Sequence, residues 1–289
     1  MQMHSSIHQS RKDICLNGNF NFFNLYSNMK QLSTYIKERL IINKRFDERL
    51  IINKDFNKKN RSNITEVPND IDELRNIIKD RYDSLGPGTK QNPIDFNDID
   101  TSKITSFEEL FNRSNFEYID ISDLDVSNVK SMRIMFYLCE KLVSIGDISE
   151  WDVRNIETFF GMFFKCDRLE SIGDLSEWEV TVKLKDTGAM FSTCRKLKNI
   201  GDIGEWEMKN VTNTCEMFNS CNELEYIGDI SSWDLSNVKS MSRMFGGCKN
   251  LTDIGDLSKW QKPLGFKTNF YFEDIFIKSS IKNTPDWAK

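Results

Sequence analysis

The chain has 289 residues, 39% of them hydrophobic and 29% charged, with a formal net charge of −5. It contains no long apolar run, and its polar, Asn-rich start lacks the apolar core of a signal peptide, so neither a membrane-spanning helix nor a cleaved leader is expected. The charge is divided, with 12 Lys/Arg against 5 Asp/Glu in residues 1–64 and 27 against 39 in residues 65–289, and that acidic remainder argues against binding a nucleic-acid backbone.

Residues 1–28, which include His4, His8 and Cys15, show no periodicity and are expected to be loosely held. Between residues 29 and 56, Leu32, Ile36 and Leu40 follow helical spacing, and residues 38–46 are nearly restated in 48–56. One or two short basic amphipathic helices are predicted there, followed by a polar linker, so that 29–67 reads as a single basic segment. The first reading of this segment is a helix that docks loosely on the rest of the chain or is partly disordered, and the functional alternative is a tether to a membrane surface or a larger assembly.

A helix is predicted over 70–82. Asp70 caps its start, Glu73 answers three residues on, and Ile71, Leu74, Ile77 and Ile78 form an apolar stripe that ends before Gly86-Pro87-Gly88. Residues 68–95 are expected to cover the apolar end of a repeat array that begins at residue 96.

From residue 96 to 289 one pattern recurs. At its fullest it reads L-x-x-I-G-D-I-S-x-W-D-V-x-N-V, then M-F-x-x-C. The six tryptophans fall at 151, 178, 206, 233, 260 and 287, with spacings of 27, 28, 27, 27 and 27 residues. Leu124 and Ile99 hold the same place in two weaker earlier copies. A fixed period of this length marks a repeat array in which each unit buries its apolar face against its neighbours, so a lone unit does not fold.

Within a repeat, Val129, Met132, Met135, Phe136 and Cys139 keep helical spacing, and the half after Asn128 is predicted to be a short helix. The half spanning Leu142-Val-Ser-Ile-Gly-Asp-Ile148 is predicted to be a strand. The expected fold is therefore α/β, a leucine-rich-repeat-like solenoid of strand-turn-helix repeats with an N-terminal helical extension and cap. The copy at Trp178-Glu-Val-Thr-Val-Lys-Leu184 has one extra residue and no Ser-Asn turn, so a local bulge is expected.

Asp147-Ile-Ser-Glu-Trp-Asp-Val153 and the run from Asp229 to Cys248 resemble the repeats of BspA-like leucine-rich-repeat surface proteins and the related mycoplasmal surface-protein repeat. The resemblance covers about residues 68–289. It implies a non-enzymatic binding module, often on a cell surface and associated with adhesion to host proteins or other cells.

Three ladders of recurring residues invite chemistry. Cys139, Cys166, Cys194, Cys221 and Cys248 lack zinc-site spacing and read as small buried hydrophobes, with disulfides between neighbouring copies as the alternative. The tryptophans read as a structural spine, with a sugar platform as the alternative. Asp120, Asp147, Asp174, Asp202, Asp229 and Asp256 read as caps on the following turn, with a calcium ladder as the alternative. No cofactor or metal is expected. Both histidines lie in the non-periodic start and no phosphate loop occurs, so no catalytic residue is assigned.

Beside the strand positions, residue identity changes from copy to copy. Ser144, Ser171, Asn199, Tyr226 and Asp253 are the candidate partner-binding residues, with Tyr226 as the anchor. The expected partner is a protein, no nucleic acid is expected on the repeats, and the chain is expected to be a monomer. The rival reading is an assembly component, a spacer or display rod attached through the basic segment 29–67.

Overall fold

The computed structural model describes residues 64–263 and 273–288. The expectations for residues 1–28 and for the basic helices between 29 and 56 lie outside the described residues. Among the described residues no helix is long and apolar enough to cross a membrane.

The one α-helix among the described residues, α1, spans Ile71–Leu85. Asp70 accepts from the backbone N–H groups of Asp72 and Glu73 as predicted, while Glu73 accepts from the N–H of Asn69, one residue before the cap. Leu74 and Ile78 are buried in the core, with Ile71, Ile77 and Tyr82 packed at its margin. At the other end the Gly86 N–H returns to the Tyr82 carbonyl, with φ of 77° at Gly86.

Arg81 fastens α1 to the first repeat. Its guanidinium reaches Glu66 and Asp98, each at 2.6 Å, donates to the Asp95 carbonyl, and lies 5.3 Å from the centre of the Phe96 ring. Burial pushes the Asp98 carboxyl up, but hydrogen bonds from Arg81 and Thr65 together with the Arg81 charge outweigh it and hold the carboxyl below its ordinary value. A carboxylate shifted down on folding adds stability above its unfolded value and loses it as pH falls through the folded one. Arg81→Ala is expected to cost about 2–3 kcal/mol near neutral pH and progressively less below about pH 4. Denaturation of both proteins between pH 7 and pH 3 checks this, and an Arg81→Ala loss independent of pH would refute it.

Residues 65–66, assigned from sequence to a linker, extend the ladder instead. The Thr65 N–H donates to the Asp98 carbonyl, and Glu66 pairs with Ile99 in parallel. Two short strands come next, β1 at Ile94–Asp95 and β2 at Ile119–Asp120, paired in parallel with Ile94 opposite Ile119. Beyond them, parallel bridges join equivalent residues of successive copies. One row runs through Ser106, Ser131, Thr158, Asp186, Asn213 and Ser240, and a second joins Tyr118, Ser144 and Ser171, and Asn199 with Tyr226.

The helix expected after Asn128 does not form. Alternate N–H groups there, from Met132, Ile134, Phe136 and Leu138, donate to carbonyls of the next copy, at Thr158, Phe160, Met162 and Phe164. Ile134 and Leu138 have φ of 48° and 61°, values no right-handed helix contains. The N–H groups interleaved with them close four-residue turns: Met135 to Met132, Tyr137 to Ile134 and Cys139 to Phe136. The first and last of those turns join buried side chains three apart, Met132 to Met135 and Phe136 to Cys139, and together they reproduce the i, i+3, i+4, i+7 pattern of a helix. The periodicity is real, but its hydrogen bonds run between copies.

The core is a set of stacked side chains. Phe111, Phe136, Phe163, Phe191, Phe218, Phe245 and Phe276 lie face to face at centroid steps of 5.0–5.7 Å. The extra residue after Trp178 is absorbed locally. The Val180 N–H turns back to the Trp178 carbonyl, and the next turn closes from Leu184 to Thr181, where the preceding copy closes from Ile156 to Val153. Val182 is left 54% exposed, so the expected bulge is present and leaves the stacking intact.

Candidate functional site

Five of the six tryptophans are inside, and Trp287 is half-buried at the margin of the core. Trp151, Trp178, Trp206, Trp233 and Trp260 are 3–4% exposed. Trp151, Trp178 and Trp206 stack at 6.4 and 6.1 Å. The indole N–H groups of Trp151 and Trp178 donate to the carbonyls of Ile121 and Ile148 one copy back, and Trp233 and Trp260 use Ile203 and Ile230 in the same way. With the rings buried against their neighbours, the sugar-platform alternative is overturned: a sugar needs an open ring face.

Each recurring aspartate makes a turn. Carboxylate oxygens of Asp120, Asp147, Asp174, Asp202, Asp229 and Asp256 accept from the backbone N–H two residues on, at 2.9–3.1 Å. The glycine of each Ile-Gly-Asp exists to admit this carboxylate. A Cβ placed on Gly173, Gly201, Gly228 or Gly255 would lie 1.7–1.9 Å from the aspartate oxygen of the preceding copy. Among the described residues no group of three or more His, Cys, Asp or Glu is arranged to hold a metal ion.

The five recurring cysteines are buried and free, so the disulfide alternative is not realised. They are also donors, a role the spacing did not reveal. Each thiol points to the carbonyl of the framework phenylalanine one copy back, from Cys139 to Phe111 at 2.9 Å through Cys248 to Phe218 at 3.1 Å. Burial pushes Cys139 up to about 11 and Cys248 up to about 12, so these thiols stay protonated donors at neutral pH.

The candidate partner-binding row is brought together in part. Ser144 bridges Ser171, and Asn199 bridges Tyr226. Ser144 is half-buried, while Ser171, Asn199, Tyr226 and Asp253 are exposed. Four of the five side chains have a local task. Ser144, Ser171, Asn199 and Asp253 accept from the N–H of the glycine two residues on, at 3.4, 3.4, 2.8 and 3.2 Å. At these four places the variable side chain is in each case a hydrogen-bond acceptor. Tyr226 is the exception: it holds the same place with 46% of its surface exposed.

The described face on the other side of each copy was expected to be a helical exterior, and in the second and third copies it carries the half-buried aromatic residues Tyr137, Phe160 and Phe164. Tyr137 stacks on Phe164 at 4.8 Å, and the Arg133 guanidinium lies 5.4 Å from the centre of the Phe160 ring. Their departure from the framework at positions 160 and 164 was a signal available in the sequence.

A family profile described as "Mycoplasma protein of unknown function, DUF285" matches residues 83–200 and 185–276. No curated protein and no solved structure matches the chain.

Proposed function

The chain belongs to the Mycoplasma family of unknown function DUF285, and from that premise we propose that its repeats form a leucine-rich-repeat-like solenoid that binds a protein through the row containing Tyr226. The parallel pairing of equivalent residues about 27 positions apart supports the solenoid reading. The recurring carboxylates and thiols are engaged in turns and carbonyl contacts, which supports a non-enzymatic role. The resemblance to surface repeats supports adhesion as the setting.

Tyr226 carries the binding proposal. It is an exposed aromatic with a polar tip, set on a rigid backbone ladder, in a row whose other candidate members are small or polar. The full chain is immobilised, a bound protein is identified, and its affinity is then measured with purified components. Tyr226→Ala with Asp253→Lys is expected to weaken binding about tenfold or more, while Lys130→Ala with Arg133→Ala leaves it unchanged. Loss with the second pair alone would place the binding face on the other side and refute the proposal.

A further inference from the structure

The stacked rings from Phe111 to Phe276 mark seven copies, and the bonds between copies have a direction. N–H groups at alternate residues of one copy donate to carbonyls of the next, from Phe111 to Met135 in the first pair through Phe245 to Ile275 and Gly247 to Ile277, at 2.9 and 2.7 Å, in the last. The two ends of this ladder are therefore chemically unlike, since the first copy ends in carbonyls and the seventh in N–H groups. The carbonyl end is closed by α1. Arg75 donates to the Glu108 carbonyl at 2.7 Å, Leu74 is buried in the core, and Tyr82 packs edge-on to Phe116 at 5.0 Å.

At the other end the equivalent donors are the N–H groups of Asp274, Phe276 and Lys278. Asp274 and Lys278 have φ of 59° and 54°, matching the left-handed values at Ile134 and Leu138 where such groups reach the next copy. Among the described residues no carbonyl receives any of the three. The ring beside them is also left short of a neighbour. Phe276 stacks on Phe245 at 5.6 Å yet is half-buried, whereas the six rings before it are 0–2% exposed. Ile277 is 40% exposed, while Ile275, in the methionine place, is already buried by its own chain. A further layer would have one ring and three N–H groups to cover.

We propose that this edge takes an extended segment of another polypeptide as one more rung, with alternate carbonyls on the three N–H groups and an aromatic side chain over Phe276. The six ring-on-ring contacts below it carry the argument, because each is the same contact and the open one continues them. Neither end of a second copy of this chain fits. Its N–H edge would set donors against donors, and its carbonyl edge lies under α1. The edge does not include Tyr226, so this site and the Tyr226 row stand or fall separately.

The probe is a peptide copying Lys130 to Leu138 with both ends blocked, which carries the carbonyls and the Phe136 ring of a natural rung and no cysteine. It is titrated into the full chain, with affinity read from the anisotropy of a labelled peptide and the contact from amide hydrogen exchange. The expected result is saturable binding that slows exchange at Asp274, Phe276 and Lys278. A peptide with Phe136→Ser should bind about tenfold more weakly or worse, and Tyr226→Ala in the protein should leave the affinity unchanged. Absence of saturable binding overturns the proposal, as does protection confined to other amides or equal affinity for the two peptides. Exchange at those three amides that slows with protein concentration alone would identify a second copy as the occupant and overturn it as well.

Discussion

Trp206→Ala is expected to lower stability by about 3–5 kcal/mol, because it opens a cavity in the middle of a stack that neighbouring copies hold apart. The ring is 3% exposed and lies 6.1 Å from Trp178 and 6.4 Å from Phe159. Those neighbours are tied by backbone bonds to copies on either side, so the site collapses poorly. A conservative change separates the ring's two contributions. The Trp206 indole N–H is buried without an acceptor, whereas that of Trp178 donates to the Ile148 carbonyl at 2.9 Å. Trp178→Phe is therefore expected to cost about 1 kcal/mol more than Trp206→Phe, since it removes a made hydrogen bond and the other removes an unmade one. Urea denaturation of the four proteins provides the numbers. A loss below about 1 kcal/mol for Trp206→Ala would mean that the stack contributes little.

Gly201→Ala is expected to cost about 3–5 kcal/mol despite adding a single carbon. Its φ is 82°, a region that costs an L-residue about 1–2 kcal/mol. The larger part is collision. The new Cβ would stand 1.7 Å from the Asp174 carboxylate oxygen and 3.0 Å from the Leu175 nitrogen. That oxygen cannot retreat without giving up the Ser176 N–H at 2.9 Å, and the turn with it. In an Asp174→Ala background, where the turn contact is already lost, Gly201→Ala should cost only the backbone share, about 1–2 kcal/mol. Equal costs in the two backgrounds would show that the carboxylate is not what the glycine accommodates.

Much of this arrangement was legible in the residue order. The 27-residue phase, the buried places of Trp151, Phe136 and Cys139, the cap at Asp70 and the side-chain turn at each recurring aspartate come from patterning and from local hydrogen-bond chemistry. Those are decided within a few residues of chain. The spacing could not say where a backbone N–H finds its acceptor. Val129 to Cys139 satisfies a helix and a string of four-residue turns equally well, and the choice falls to carbonyls one copy away, at Thr158, Phe160, Met162 and Phe164.

The same limit applies to the surfaces. Ser144, Ser171, Asn199 and Asp253 are marked in the sequence by their changing identity, and the structure adds that each supplies an acceptor to a nearby glycine N–H, a requirement on chemistry that leaves size open. Phe160 and Phe164 are simply two unusual letters in one copy until the vertical bonds set Gly188 and Ser192 beside them in rows. The sequence by itself determined the repeat, its inward residues and its local turns, because these depend on periodicity and on partners two or three residues away. Only the tertiary structure decided the backbone path and the thiol-to-carbonyl contacts, because each depends on a partner about 27 residues distant whose orientation no local pattern encodes.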